Sequence, residues 1–282
     1  MKEFFGFGGY TRQPEGYMSW QHLTFVSFLM LAMVVLAVVL GRKNRNESDK
    51  VKNRVLIVSA IAIDSLEIAK IVILCIRGEN PWHWLYVLPL FLCSIQLITI
   101  PMAAFAKGRL RNVALDFVFV FGILGAVLGT YGAGQNYGCY PVLSMDNVVS
   151  GLTHSISGFC SLYIVISGMA SMKRRNIPIS FAILTSFCIA AYVANIILDY
   201  NYMFLMAGDG TPYDIIYNLV GGHKVLYPVS VVALFYLYIT AFYFIYYFAA
   251  RRKKEKNPIQ VADGNCGSVE DVSVLQTADS AE

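Results

Sequence analysis

Residues 20–40 read WQHLTFVSFLMLAMVVLAVVL, and residues 42–54 read RKNRNESDKVKNR. The first stretch carries no acidic residue, lysine or arginine over a length that, as a helix rising 1.5 Å per residue, covers about 30 Å. That is the thickness of the hydrocarbon core of a bilayer. The second packs six basic side chains into a short polar loop, the mark of a cytoplasmic connection between spans. A membrane span followed at once by its charged loop sets the class: a polytopic helical membrane protein.

The rest of the chain repeats the pattern. Of its 282 residues, 57% are hydrophobic and only 14% are charged, where a soluble domain carries roughly 25% charged residues. The apolar runs are too long for membrane strands, which need only about 10 residues of alternating pattern. Seven spans are expected, at Trp20–Leu40, Val55–Ile76, Trp84–Phe105, Val113–Tyr131, Val148–Met172, Ile177–Leu198 and Leu226–Ala250. The expected fold is an all-α bundle of seven transmembrane helices, multi-pass in a cell membrane. No internal repeat is evident, which disfavours the inverted-repeat transporters.

Basic residues cluster in alternate loops: 42–54, "AKGRLR" (106–111), "KRR" (173–175) and "RRKKEK" (251–256). The intervening loops hold only Lys2, Arg12, Arg77 and Lys224. This bias places the N-terminus outside and the C-terminus in the cytoplasm. Residues 1–19 then form an extracellular tail with no cleavable-signal pattern, 20–250 the transmembrane domain, and 251–282 a cytoplasmic tail. From Asn257 that tail is acidic and without apolar periodicity, and is expected to be disordered. The sequon at Asn46 falls in a cytoplasmic loop.

Six cysteines, at 75, 93, 139, 160, 188 and 266, form no C-x-x-C pair, so no zinc or redox signature is present. Cys75 and Cys139 both fall near the outer surface, which leaves a disulfide between them open. Polar residues inside the apolar runs carry more information, because they face a bundle interior or a cavity. The second span reads "AIDSLEIAK", with Asp64, Glu67 and Lys70 three residues apart. Glu67 and Lys70 can pair at i, i+3, either as a neutralised packing pair or as part of a site. The third contains "LPLFLCS" (88–94), with Pro89 in its first turns, then Cys93, Ser94, Gln96 and Thr99. The fifth begins "VVSGLTHSISGF" (148–159), which puts His154 at a depth close to that of Cys93. His22, Asn195, Asp199, Asp214, Asn218 and His223 gather at the same expected level. For any one of these histidines, packing is the plainer role. Residues 198–224 are too polar to span and too apolar for a free loop, and suggest an interfacial or re-entrant lid.

Several of these pieces, "LPLFLCS", "NYMFLM" (201–206), "YDIIYNLVGG" (213–222), His22 and His154, together resemble the YwaF-like integral membrane proteins of bacteria, over about residues 18–250. That group is similar, more distantly, to an animal transmembrane acyltransferase that remodels ether phospholipids, and to androgen-induced hydrolases of fatty-acid esters. The resemblance implies that Cys93 is an acyl-accepting thiol and His154 its base. It also exposes a departure: Phe91 stands where the family motif often has histidine. The function expected is lipid acyl transfer or lipid-ester hydrolysis on membrane lipids. Glu67 would orient the imidazole, and Gln96 or Asn195 would donate to the oxyanion. His22, Asn195, Asp199, Asn218 and His223 would be supporting or binding groups. No cofactor, metal or nucleic acid enters this reading. The alternative is a non-enzymatic seven-helix binder, sensor or transporter.

Overall fold

A computed structural model describes residues 2–78, 80–170 and 172–256. Residues 257–282, which include Cys266 and most of the expected tail, lie outside the described residues. The helices are α1 (Lys2–Phe5), α2 (Trp20–Asn44), α3 (Asp49–Arg77), α4 (Gln96–Phe105), α5 (Gly108–Tyr131), α6 (Gly134–Cys139), α7 (Met145–Ile166), α8 (Ile177–Leu198), α9 (Tyr213–Leu219) and α10 (Leu226–Lys256). The chain divides into two units, Met1–Tyr236 and Leu237–Glu282. The described part of the second is the later portion of α10.

The expectation of seven spanning helices is not met. Among the described residues, five helical stretches are long and apolar enough to cross a membrane: Trp20–Asn44, Gly108–Cys139, Met145–Ile166, Arg174–Leu198 and Leu226–Phe248. The two that fall away do so for different physical reasons. The second expected span does form a helix, and α3 is 29 residues long. Asp64, Glu67 and Lys70 sit in its middle, and this charge takes it out of the strongly apolar class. The third expected span is mostly not a helix. Residues 83–86 make one 3-10 turn, and regular helix starts only at Gln96. Pro89 has no N–H to donate and biases Leu88 away from helical geometry, so "LPLFLCS" runs as irregular chain. What remains is the ten-residue α4.

The core of the first unit joins α3, α4, α5 and α7 through Leu56, Ile63, Ile100, Leu115, Val118, Cys160, Tyr163 and Ile164. The α5 helix is central, and its most extensive packing is on α7. Small residues allow the close approach: a Cβ built on Gly122 would lie 2.7 Å from the Ser157 carbonyl, and one on Gly158 would lie 2.6 Å from the Ala126 methyl. Small-residue seams of this kind drive helix association where lipid offers no hydrophobic penalty. By contrast α2 turns Phe28, Leu31, Val35 and Val39 outward, as a lipid-facing helix must.

The two ends of this unit are tied differently. At one end the basic loops meet: Arg111 donates to Asn53 Oδ1 at 3.2 Å, and Arg109 to the Arg175 carbonyl at 2.9 Å. At the end of α3 that lies away from these loops, Arg77 makes a bidentate pair with Asp146 of α7, at 2.7 and 2.8 Å. The Tyr10 hydroxyl donates to the same carboxylate. Arg77 also lies over the Tyr10 and Tyr140 rings, 5.7 and 5.8 Å from their centroids. The N-terminal segment is therefore docked: Tyr17 donates to the Tyr131 carbonyl at 2.8 Å, and Glu15 accepts from the Val142 N–H at 2.8 Å. Cys75 and Cys139 are free thiols, with no disulfide between them.

A candidate functional site in the helix bundle

The irregular segment carries Cys93, and its shape is set from α8. The Asn195 side chain clamps the Tyr202 backbone in both directions: Nδ2 donates to the Tyr202 carbonyl at 3.0 Å, and Oδ1 accepts its N–H at 2.6 Å. The Tyr202 hydroxyl then donates to the Leu85 carbonyl at 2.5 Å and accepts from the Leu88 N–H at 3.2 Å. These bonds satisfy backbone groups that would be orphaned in a chain without regular helix. Phe91 packs beside them, its ring centroid 5.2 Å from that of Tyr202 and 6.0 Å from that of Phe204. In this chain the position is an aromatic packing slot. The overlying turn is unusual, because Met203 and Phe204 hold positive φ of 56° and 55° without being glycine. Such backbone persists only where surrounding bonds over-determine it, as the Asn195 clamp does.

A cavity of about 50 Å³ is lined by Ile63, Glu67, Lys70, Cys93, Ser94, Leu97, Ser150, Thr153 and His154. It has room for water or for one small polar group of a larger molecule. Its lining comes from α3, the irregular segment with the start of α4, and α7, and α4 and α7 pack on α5. The role of α5 is visible in "GILGAVLG" (122–129). A Cβ on Gly129 would fall 2.2 Å from His154 Cε1 and 2.4 Å from both ring nitrogens, so the imidazole occupies the space a side chain would need. Gly125 faces Cys93 in the same way, with Cβ to Cβ at 3.5 Å. Gly125 and Gly129 are four residues apart, one turn and about 6 Å along the axis. One face of α5 thus passes the Cys93 Cβ and, one turn on, the His154 ring.

Within the cavity lining, Thr153 Oγ1 donates to the Ser150 carbonyl at 3.0 Å. Neither His154 nitrogen has a hydrogen-bond partner among the described residues, and Cys93 Sγ meets only Ser94 Oγ, at 4.0 Å. Glu67 Oε1 pairs with Lys70 Nζ at 2.5 Å. That pair matches the i, i+3 spacing, and its two members line the cavity together with His154. The arrangement brings a thiol, an imidazole, an ammonium and a carboxylate to one small space.

The other sequence candidates sit elsewhere. Gln96 is fully buried one residue before the lining Leu97; its Oε1 accepts from Thr99 at 3.0 Å, and its Nε2 has no partner among the described residues. Asn195 has both side-chain polar atoms committed to Tyr202. His22 is buried, with Nδ1 accepting from the Met18 N–H at 3.2 Å and Nε2 at 3.1 Å from the Thr130 carbonyl. Its ring lies 3.9 Å from that of Tyr137. This is a histidine with both nitrogens in use. His223 Nδ1 accepts from the N–H groups of Val225 and Leu226 at 3.3 and 3.2 Å, at the start of α10. Asp199 ends α8 in a left-handed conformation, and Asn218 lies near the end of α9. Among the described residues no group of three or more His, Cys, Asp or Glu could hold a metal ion. Ile63, Leu97, Ser150 and the α5 glycines Gly125 and Gly129 were not singled out from sequence. The spacing Gly125-x-x-x-Gly129 in an apolar run was the available signal.

Fold and site together define a multi-pass α-helical membrane protein with a polar, cysteine- and histidine-lined cavity inside the bundle. The chain belongs to the TMEM164 family, whose model matches residues 17–247. This replaces the YwaF assignment with a related polytopic membrane family. Neither the curated proteins nor the solved structures contain a match.

Proposed function

We propose that this protein transfers or hydrolyses acyl groups of membrane lipids, with Cys93 as nucleophile and His154 as general base. The observation that carries the reading is the shared cavity: Cys93 and His154 both line it beside adjacent turns of one glycine face of α5, and neither imidazole nitrogen has a hydrogen-bond partner among the described residues. Cys160 and Cys188 offer the contrast. Both are buried in packed surroundings, Cys160 in the main core and Cys188 against the Met203 sulfur at 3.8 Å. A thiol in apolar surroundings is a poor nucleophile unless a base takes its proton, and His154 is the base at hand. The apolar setting suits an ester that arrives from lipid. The distant likeness to an ether-phospholipid acyltransferase, with a membrane cysteine, points the same way.

In the reaction, Cys93 Sγ attacks the acyl carbonyl carbon and its proton passes to His154. Collapse of the tetrahedral species forms a thioester and expels an alkoxide, which takes the proton back from His154. A second hydroxyl, from an acceptor lipid or water, then attacks the thioester and restores the thiol. The test is labelling of membranes with a lipophilic thiol-directed activity probe. Labelling is expected to map to Cys93, to vanish in Cys93→Ala and to fall at least 100-fold in His154→Ala, the scale of a lost general base. Equal labelling in all three would refute the proposal.

A further inference from the structure

The tetrahedral species needs a donor for its oxyanion, and the two amides that sequence reasoning offers do not supply one. Both polar atoms of the Asn195 side chain are held by Tyr202, and Gln96 is not among the residues that line the cavity. The cavity contains one cation, Lys70. An ammonium carries three N–H donors, and Glu67 Oε1, at 2.5 Å, is its only ion-pair partner among the described residues. At least one donor is therefore left for the space bounded by Cys93, Ser94, Ser150 and His154. Glu67 holds the ammonium in place from the next turn of α3, so the charge is fixed before reaction rather than recruited during it.

We infer that Lys70 is a catalytic residue of the Cys93–His154 reaction: its ammonium donates to the oxyanion that forms when the thiol adds to a lipid acyl carbonyl. The inference rests on the acyl-transfer reading above and extends it. As Sγ bonds to carbon, the carbonyl π pair moves onto oxygen, and Lys70 hydrogen-bonds to that oxygen without giving up its proton. As the alkoxide leaves, the pair returns and the ammonium is released unchanged. A preorganised donor in a water-poor site acts on developing charge, and removal of one such donor slows reaction by about 100- to 1,000-fold.

The test compares two modifications of Cys93 in the full-length protein in detergent. Acylation by p-nitrophenyl decanoate passes through an oxyanion, and alkylation by iodoacetamide does not. In Lys70→Met the acylation rate, divided by the alkylation rate, is expected to fall about 100-fold. Lys70→Arg keeps the charge and the donors, and should keep the ratio within about 10-fold of the parent. A ratio unchanged in Lys70→Met would overturn the role of Lys70 while leaving Cys93 and His154 in place. Failure of Cys93 in the parent protein to take the acyl group, with alkylation intact, would overturn the nucleophile reading and this inference with it.

Discussion

At the residue scale, the site depends on an atom that is absent. Gly129 leaves room for the His154 ring, and any Cβ there would overlap three ring atoms at 2.2 to 2.4 Å. Gly129→Ala should push the imidazole off α5 at an overpacking cost of about 1–3 kcal/mol. Gly125→Ala puts its methyl at ordinary contact distance from Cys93, 3.5 Å to Cβ, and should be tolerated. The expected outcome is loss of His154-dependent Cys93 labelling in the first variant and near-parental labelling in the second; equal behaviour would show that the niche is not what positions the ring. The contrast between His154 and His22 has the same origin. Both are single histidines in long apolar helices, His22 in the first turn of α2 and His154 in the middle of α7, and residue type alone does not separate their roles. Thr130 and Met18 occupy the nitrogens of one, whereas those of the other are open toward a cavity.

At the scale of elements, the Arg77–Asp146 pair fastens α3 to α7 about one to two turns from residues that line the cavity. Lys70 precedes Arg77 by seven residues, and Ser150 and Thr153 follow Asp146 by four and seven, so clamp and cavity share helix faces. Arg77→Ala leaves a largely buried carboxylate with the Tyr10 hydroxyl but no cation beside it, and a loss of roughly 3–5 kcal/mol is expected, read as a lower melting temperature in detergent. Arg77→Lys should not rescue it, because an ammonium cannot reproduce the two parallel bonds. Tyr10 adds a pH dependence. Burial, then its hydrogen bond to Asp146, pushes the Tyr10 hydroxyl from about 10 up to about 12. The neutral phenol is the stabilised form, so its contribution is intact below pH 10 and lost as pH rises through about 12. Limited proteolysis should find residues 2–19 protected up to pH 10 and cleaved near pH 12, and the Tyr10→Phe variant should lack that step. The sequence showed a polar tail and one isolated arginine here. The partners are 67 to 136 residues apart, a separation that no local pattern encodes.

At the scale of the whole molecule, hydropathy revealed the helical membrane class because burial in lipid acts on each run independently. It overcounted the spans because length and mean apolarity are blind to the events inside a run. In the third run a proline and a web of side-chain bonds replace helix with irregular chain around Cys93, and in α3 three charges interrupt an otherwise apolar surface. Both departures lie at the cavity of the proposed site, where local sequence rules are expected to give way to function. The charges of α3 should accordingly cost stability for the sake of function. Replacing Glu67 and Lys70 together by leucine is expected to leave the melting temperature unchanged or higher, since buried pairs rarely outperform apolar packing, and to slow acylation by about 100-fold or more; a large loss of stability would instead mark the pair as structural. The most direct test of the central claim is mass spectrometry of the purified protein after incubation with phospholipid vesicles. The account predicts a hydroxylamine-labile acyl group on Cys93 that disappears in His154→Ala. An acyl group found instead on Cys160 or Cys188, or none on Cys93, would contradict it.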